Sequence, residues 1–382
     1  MDSEVLFSSI KNAEIDEFKR IIKDNGINVN EVKDKYNVNL LHVAAKYNKI
    51  EIARYLLKHD MNVDAPTNGK LTALYIAVIN DHAEMVEFLL TEYKANTNII
   101  AKRNLTPLHI AVMHGNIKIV QLLLDHGADK GAQSDIGNTP LHNAVAYNHI
   151  DIVRLLIEHD ADTNAENNYQ QPPLFLSHLS NIEMIKLLID NRADLHYKSE
   201  KNENNFLHYA STLGCAKLIK CIVKQFNVND ANKHGQTALH LAAMQGYINA
   251  REKSLIPACV ASGQFKKDST RKASITDYLE TITILIENGA DINAQDYFGD
   301  TPLHYASFYA PSLYQQNSKE FNKESFVISK YLMNHGANLN IKDKNEQTPR
   351  DIGMFKSYSM IIKNIMKSKK VSDMISILCE CR

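Results

Sequence analysis

Five cysteines among 382 residues are few and odd in number. They leave little for a disulfide framework, and reduced thiols in a cytosolic compartment are the simplest reading. Neither sign of charge dominates: 43 lysines and arginines face 44 aspartates and glutamates, for a net charge of −1. That balance argues against a chain organised around bulk attraction to nucleic acid or an anionic membrane, though local patches stay open. No apolar run approaches 18 residues, so no transmembrane helix is expected. The opening Met1-Asp2-Ser3-Glu4 lacks the basic start and apolar core of a secretory signal. Also missing are a phosphate-cradling glycine loop, a His-Glu-x-x-His pair and paired Cys-x-x-Cys sets. Hydrophobic residues still make up 44%, which favours a packed fold over disorder.

What the sequence does have is a repeat. Thr106-Pro107-Leu108-His109, Thr139-Pro140-Leu141-His142 and Thr301-Pro302-Leu303-His304 are identical, and Thr237-Ala238-Leu239-His240 differs by one residue. Degenerate copies begin at Asn39, Thr72, Pro172 and Asn205. The fourth positions fall at 42, 75, 109, 142, 175, 208 and 240, close to a 33-residue period. A second signature runs in register, as in Ile119-Val120-Gln121-Leu122-Leu123 before Gly127-Ala128-Asp129. Thr is a good N-cap and Pro suits the first helical turn. The end of each first helix wants a left-handed residue, and Gly115, Gly214 and Gly246 stand there, with Asn48, Asn148 and Asn181 in other copies. A second helix follows with apolar residues at helical spacing, such as Ile152, Val153, Leu155, Leu156 and Ile157. Polar links such as Asp291 to Asp296 follow each second helix.

On these residues the chain resembles an ankyrin-repeat protein over residues 1–365. The resemblance implies an all-α repeat solenoid: stacked helix-turn-helix repeats with β-turn fingers, about eight repeats plus terminal caps. One helix pair cannot bury its apolar face alone, so stability has to come from stacking. The N-terminal cap is expected within 1–36, with Val5, Leu6, Ile10, Phe18, Ile21 and Ile22 covering the first repeat. Two spacings break the period. One excess lies near 249–276 in the seventh repeat, between its first and second helices, and the other near 311–324 in the eighth. Residues 366–382 read as a capping or tail segment, with a basic amphipathic membrane-surface helix as the alternative.

The first insertion is basic, with Arg251, Lys253, Lys266, Lys267, Arg271 and Lys272 against Glu252 and Asp268. A solvated loop, a dock for an acidic or phosphorylated surface, and nucleic-acid or membrane binding all remain open for it. Arg271-Lys272-Ala273-Ser274 also fits a weak basophilic-kinase pattern.

Chemistry is hard to find. The resemblance makes His42, His109, His142, His208, His240 and His304 a structural hydrogen-bonded network rather than catalytic groups. Cys215 and Cys221 fall where small buried apolar residues are expected. Cys259, in the insertion, is the one candidate nucleophile for an alternative thiol-enzyme reading. No catalytic residue, metal site or cofactor is assigned.

The resemblance instead implies a protein-binding scaffold that uses the fingers and the exposed ends of the first helices. By register the candidate positions before the motifs are Tyr36, Lys102, Arg103, Tyr169, Tyr297 and Phe298. Late in the first helices they are Tyr47, His114, Tyr147, Phe308 and Tyr309, with Phe308 and Tyr309 expected to be exposed. Tyrosine offers a large, stiff contact with a polar tip. Asparagine occurs 38 times against 14 glycines, as in ankyrin proteins from AT-rich genomes, including poxviruses and intracellular bacteria. The expectation is a monomeric, cytoplasmic adaptor for one or more proteins, set in a host-directed effector role and reaching a host cytosol by a non-classical route.

Overall fold

The computed structural model describes residues 3–12, 14–199, 202–244, 273–308 and 323–352. These divide into two compact units, one ending at Asp194 and the other beginning at Leu195. The first unit carries α1 (Ser3–Asn12), α2 (Ile15–Asp24), α3 (Leu40–Lys46), α4 (Ile50–Leu57), α5 (Ala73–Ile79), α6 (Ala83–Tyr93), α7 (Pro107–His114), α8 (Ile117–Asp125), α9 (Pro140–Ala146), α10 (Ile150–Glu158) and α11 (Ile182–Asp190). The second carries α12 (Phe206–Thr212), α13 (Ala216–Ile222), α14 (Ala238–Ala243), α15 (Ile275–Glu287), α16 (Pro302–Phe308) and α17 (Lys323–Asn334). Among the described residues the only bridge outside helices joins Lys33 to Asn39. No described helix is long and apolar enough to cross a membrane.

The first helices start as the sequence demands. Thr106, Thr139 and Thr301 hold extended or capping positions and accept from the backbone N–H of His109, His142 and His304, each at 3.4 Å. Asn39 and Asn205 do the same for His42 and His208 at 3.0 Å. The register extends to Thr348, whose hydroxyl donates to Asp351 at 2.7 Å. These helices bury nearly everything they carry. Leu41, Ala44, Ala45, Leu108, Ala111, Leu141, Ala144, Leu239 and Ala242 are all within 1% of full burial. Second helices bury one stripe only, for example Ile152, Val153, Leu155 and Leu156 in α10, with Ile157 half-buried. Leu6, Ile10, Phe18 and Ile22 close the N-terminal end of the first unit, and Ile21 is half-buried.

The fifth repeat departs from the expected helix pair. Its first helix is replaced by a single 3-10 turn, Pro173–Leu176. Pro172 stands where Thr caps other copies, so no side-chain oxygen receives the orphan N–H groups. Ser177 is already extended (ψ 144°). From the motif position Phe175 to the start of α11 is 7 residues, against 8 from His142 to the start of α10, and this corrects the reading of Asn181. Gly115 (φ 76°), Asn48 (φ 54°), Asn148 (φ 61°) and Gly214 (φ 63°) are left-handed as expected, and Asp81 (φ 61°) joins them. Asn181 instead has φ −90° and caps α11, accepting from the Met184 N–H at 3.0 Å. Cys221 is a second correction. The buried stripe of α13 is Ala216, Leu218, Ile219 and Ile222, which leaves Cys221 exposed beside it.

In the described residues α14 and α15 bracket the first insertion, and α16 and α17 the second. Arg251, Lys253, Lys266, Lys267, Arg271, Lys272, Cys259, Gly246, Tyr309 and the 366–382 tail lie outside the described residues.

Glycine matters most at Gly137. It is left-handed (φ 76°), and an added Cβ would sit 2.4 Å from the backbone nitrogen of Asn168. Gly137→Ala therefore combines a strained conformation with a backbone clash, and should lower stability by roughly 2–4 kcal/mol. At Gly69 a Cβ would meet nothing nearer than 3.7 Å, so Gly69→Ala should stay within about 0.5 kcal/mol. Paired urea titrations of the two variants check the contrast.

Candidate functional site

Most of the described links between repeats fold into a five-residue finger turn. The N–H of its first residue donates to the carbonyl of its fifth: Asp34 to Val38 (3.0 Å), Asn167 to Gln171 (3.2 Å), Asn232 to Gln236 (2.9 Å), Asp296 to Asp300 (2.9 Å) and Asp343 to Gln347 (2.8 Å). The first residue's side chain accepts in return. Asp34 Oδ1 takes the N–H groups of Tyr36 and Val38, both at 2.8 Å, and Asp296 Oδ1 takes those of Phe298 (2.8 Å) and Asp300 (2.9 Å). The fourth residue is left-handed in turn after turn: Asn37, Lys70, Asn104, Gly137, Gln170, Gly235, Gly299 and Glu346. These constraints push the second and third side chains outward.

Neighbouring fingers are tied at their tips. The N–H of a second residue donates to the carbonyl of the preceding finger's third residue. Asn68 donates to Tyr36 (2.9 Å), Asp135 to Arg103 (2.9 Å), Asn168 to Ile136 (3.1 Å), Tyr297 to His234 (3.0 Å) and Lys344 to Phe298 (2.8 Å). The ladder fixes the columns. Tyr36, Arg103, Tyr169 and Phe298 are all third residues, and Lys102 and Tyr297 are second residues. Tyr36 is 58% exposed, Tyr169 49%, Tyr297 62% and Phe298 61%, an unusual exposure for large aromatic groups. Lys102 and Arg103 are exposed too.

The other expected contact positions are less uniform. His114 is exposed at the end of α7, while Tyr47 and Tyr147 are half-buried. The Tyr47 ring lies beneath the ammonium groups of Lys46 (5.5 Å) and Lys11 (5.9 Å). The Tyr147 ring is parallel to that of His149 with centroids 6.2 Å apart, and burial raises the phenol's pKa. Phe308 is the last residue of α16. The sequence reading missed further tip residues, namely Lys35, Lys70, Lys233, His234 and Lys344, all exposed. The signal was their place in the five-residue frame, which appears only once the fingers are aligned.

The motif histidines are engaged on both ring nitrogens. Nδ1 accepts the capping residue's N–H, at 3.0 Å from Asn39 and Thr301, 3.1 Å from Thr139 and Thr237, and 3.2 Å from Thr106. The proton therefore sits on Nε2, which donates to a carbonyl of the following finger or, for His42, just before it. Distances are 2.8 Å from His42 to Ala65, 3.0 Å from His109 to Asn138, 2.9 Å from His142 to Gln171, 3.2 Å from His208 to Gln236, 3.1 Å from His240 to Asp300 and 3.2 Å from His304 to Gln347. Burial lowers the pKa of all six, to about 4 for His142 and His208. Their arrangement splices one repeat to the next. Of the described cysteines, Cys215 has its thiol pushed up to about 12, chiefly by burial and further by the Asp277 carboxylate, the opposite of an activated nucleophile. No group of three or more potential metal ligands occurs among the described residues.

Family models for ankyrin repeats match residues 6–101, 93–167 and 174–253, with further matches at 271–311 and 298–344. The chain belongs to the ankyrin-repeat family. An ankyrin repeat protein of Fowlpox virus is 34% identical over 124 residues, which is 32% of this chain and 28% of the viral protein. One from Rickettsia felis is 31% identical over 126 residues, 32% of this chain and 41% of its own length. The NAD-dependent deacetylase sir2B of Dictyostelium discoideum matches at 25% identity over 78% of this chain but 35% of the deacetylase. The chain thus spans well under half the length of each of these relatives. Ankyrin repeats are protein-interaction scaffolds, and among the described residues the exposed large aromatic side chains lie on the ladder of tips.

Proposed function

We propose that this ankyrin-repeat chain is a non-catalytic adaptor. It docks a partner protein along the finger tips and the ends of the first helices, the side that is concave in ankyrin proteins. The observation that carries the reading is the set of aromatic tips, Tyr36, Tyr169, Tyr297 and Phe298, each about half exposed or more. Large aromatics held on hydrogen-bonded turns lose little conformational entropy on docking and make strong interface anchors. Tyr47, Lys102, Arg103, His114, Tyr147, Phe308 and Tyr309 belong to the same proposed surface. A host-directed role in a host cytosol is supported by the asparagine-rich composition and by the likeness to ankyrin proteins of Fowlpox virus and Rickettsia felis.

The test is affinity capture from eukaryotic lysate with the wild type and a Tyr297→Ala/Phe298→Ala variant, both verified as folded by circular dichroism. A partner held by the wild type should bind the variant at least tenfold more weakly, as expected for two hot-spot aromatics at about 1.4 kcal/mol or more together. A partner held equally by both would remove these tips from the binding surface.

A further inference from the structure

The first three fingers share a property that the aromatic tips do not explain. Lys35 on the first with Lys33 just before it, Lys70 on the second, and Lys102 and Arg103 on the third are all exposed. None of the five forms an ion pair with a described carboxylate. The acidic group within these three turns is Asp34, whose Oδ1 is turned inward onto the N–H groups of Tyr36 and Val38. Glu31 and Asp64, at the finger bases, accept from Asn28 Nδ2 (2.8 Å) and the Asn96 N–H (2.9 Å). In a chain with net charge −1, this concentration is local. It stops at the fourth finger, which presents Asp135.

Two of these cations, Lys70 and Arg103, sit in a disfavoured backbone conformation. Arg103 and Asn104 are consecutive left-handed residues, at φ 61° and 53°, and Lys70 is left-handed at φ 62°. A side chain bearing a β-carbon is disfavoured in that region, and strained positions of this kind gather at functional surfaces. The first two tips are joined by the Asn68 N–H to Tyr36 carbonyl bond at 2.9 Å. Repeats stack at about 8–10 Å, so three tips span on the order of 20 Å. That is the length of about six residues of extended chain.

We propose that the tips of fingers one to three form a docking strip for an extended acidic segment of a partner protein. The proposal rests on the adaptor reading above and names the chemistry of one partner segment. A peptide fits better than a nucleic acid. The strip offers one aromatic ring, Tyr36, and Lys35 Nζ already lies 5.1 Å over it. Single strands are bound by series of open stacking platforms together with a long basic groove.

Fluorescence anisotropy with the full chain tests this, using a fluorescein-labelled decapeptide of alternating Glu and Ser. Binding in 50 mM salt should weaken at least tenfold by 300 mM. It should fall at least tenfold in Lys70→Glu/Lys102→Glu/Arg103→Glu, and persist in Lys186→Glu/Lys217→Glu, which changes two exposed second-helix lysines. The alternating Lys-Ser decapeptide should not bind. No binding of the acidic peptide at 1 mM, equal binding by the triple variant, or tighter binding of a twelve-nucleotide oligothymidylate would each overturn the proposal. Capture of the lysate partner separates the two readings. A partner lost in the Tyr297/Phe298 variant but kept by the triple variant upholds the adaptor and removes the acidic strip.

Discussion

Acidification from pH 7 to 4.5 should strip most of the stability from both units, well before bulk acid denaturation. The cause is the set of motif histidines. His142 in the first unit and His208 in the second titrate near 4 in the folded chain, against 6.5 for an ordinary imidazole. Between those values the unfolded chain binds a proton that the folded chain refuses, so stability rises with pH through this window and falls as pH is lowered through it. Each of the two accounts for about 3 kcal/mol by pH 4, and His42, His109, His240 and His304 add in the same direction. Burial explains the refusal: an imidazolium at either ring would be shut away from water, and a proton on Nδ1 would also meet the capping residue's N–H.

Asp300 acts the other way. Burial first, and then the nearby Asp296 and Asp343 carboxylates, raise its pKa to about 6, so its contribution improves as pH falls from 6 toward 4. It is one half-exposed group against six buried rings, and solvent screening reduces it further. Urea midpoints measured from pH 8 to 4.5 should be flat above about 7 and drop steadily below 6.5. A flat profile to 4.5 would mean that the histidines are not held neutral.

His142→Ala should be the most damaging single change at neutral pH that leaves the apolar core untouched. It removes the acceptor of the Thr139 N–H and the donor to the Gln171 carbonyl, and opens space where the ring is fully buried. Two abandoned polar groups and a cavity together cost roughly 3–5 kcal/mol. The loss should spread beyond one repeat. The ring joins α9 to the finger that follows it, so amide exchange should accelerate at 167–171 as well as in α9. Acceleration confined to α9 would show that His142 stabilises its own helix and not the stack.

Much of this was legible in the sequence because the determinants are local. Thr followed by Pro starts a helix at Thr106, Thr139 and Thr301, and a 33-residue period leaves little choice of architecture. The misreadings come from places where a local signal was outvoted. Asn181 has the right residue type and spacing for a left-handed position, yet Pro172 removed the cap of the preceding helix and the register slipped by one. Cys221 sits among apolar neighbours, but the buried stripe of so short a helix is narrow.

Asparagine gives the clearest case of a compositional fact with a structural use. Asn39, Asn116 and Asn205 cap helices, and Asn37, Asn48 and Asn148 take left-handed turns. Asn98, Asn164 and Asn229 bridge finger bases, each donating from Nδ2 to one carbonyl (3.2, 2.9 and 3.0 Å) and accepting one N–H (2.8, 2.7 and 2.8 Å). The side-chain amide carries a donor and an acceptor on one short arm, which suits a bridge between two backbones. For the candidate surface, the aromatic tips were found by register alone. Register also picks out Lys102 and Arg103, but not Lys35, Lys70, Lys233 or Lys344, because a lone lysine in a turn reads as solvated until the turns are aligned.

The central claim is that the finger tips, not the second helices, meet the partner. Hydrogen–deuterium exchange of the chain with and without its captured partner tests it most directly. The account predicts protection at 34–38, 167–171 and 296–300, the turns bearing Tyr36, Tyr169, Tyr297 and Phe298. Protection confined to the outer faces of second helices such as α8 and α10, with the tips unchanged, would contradict it.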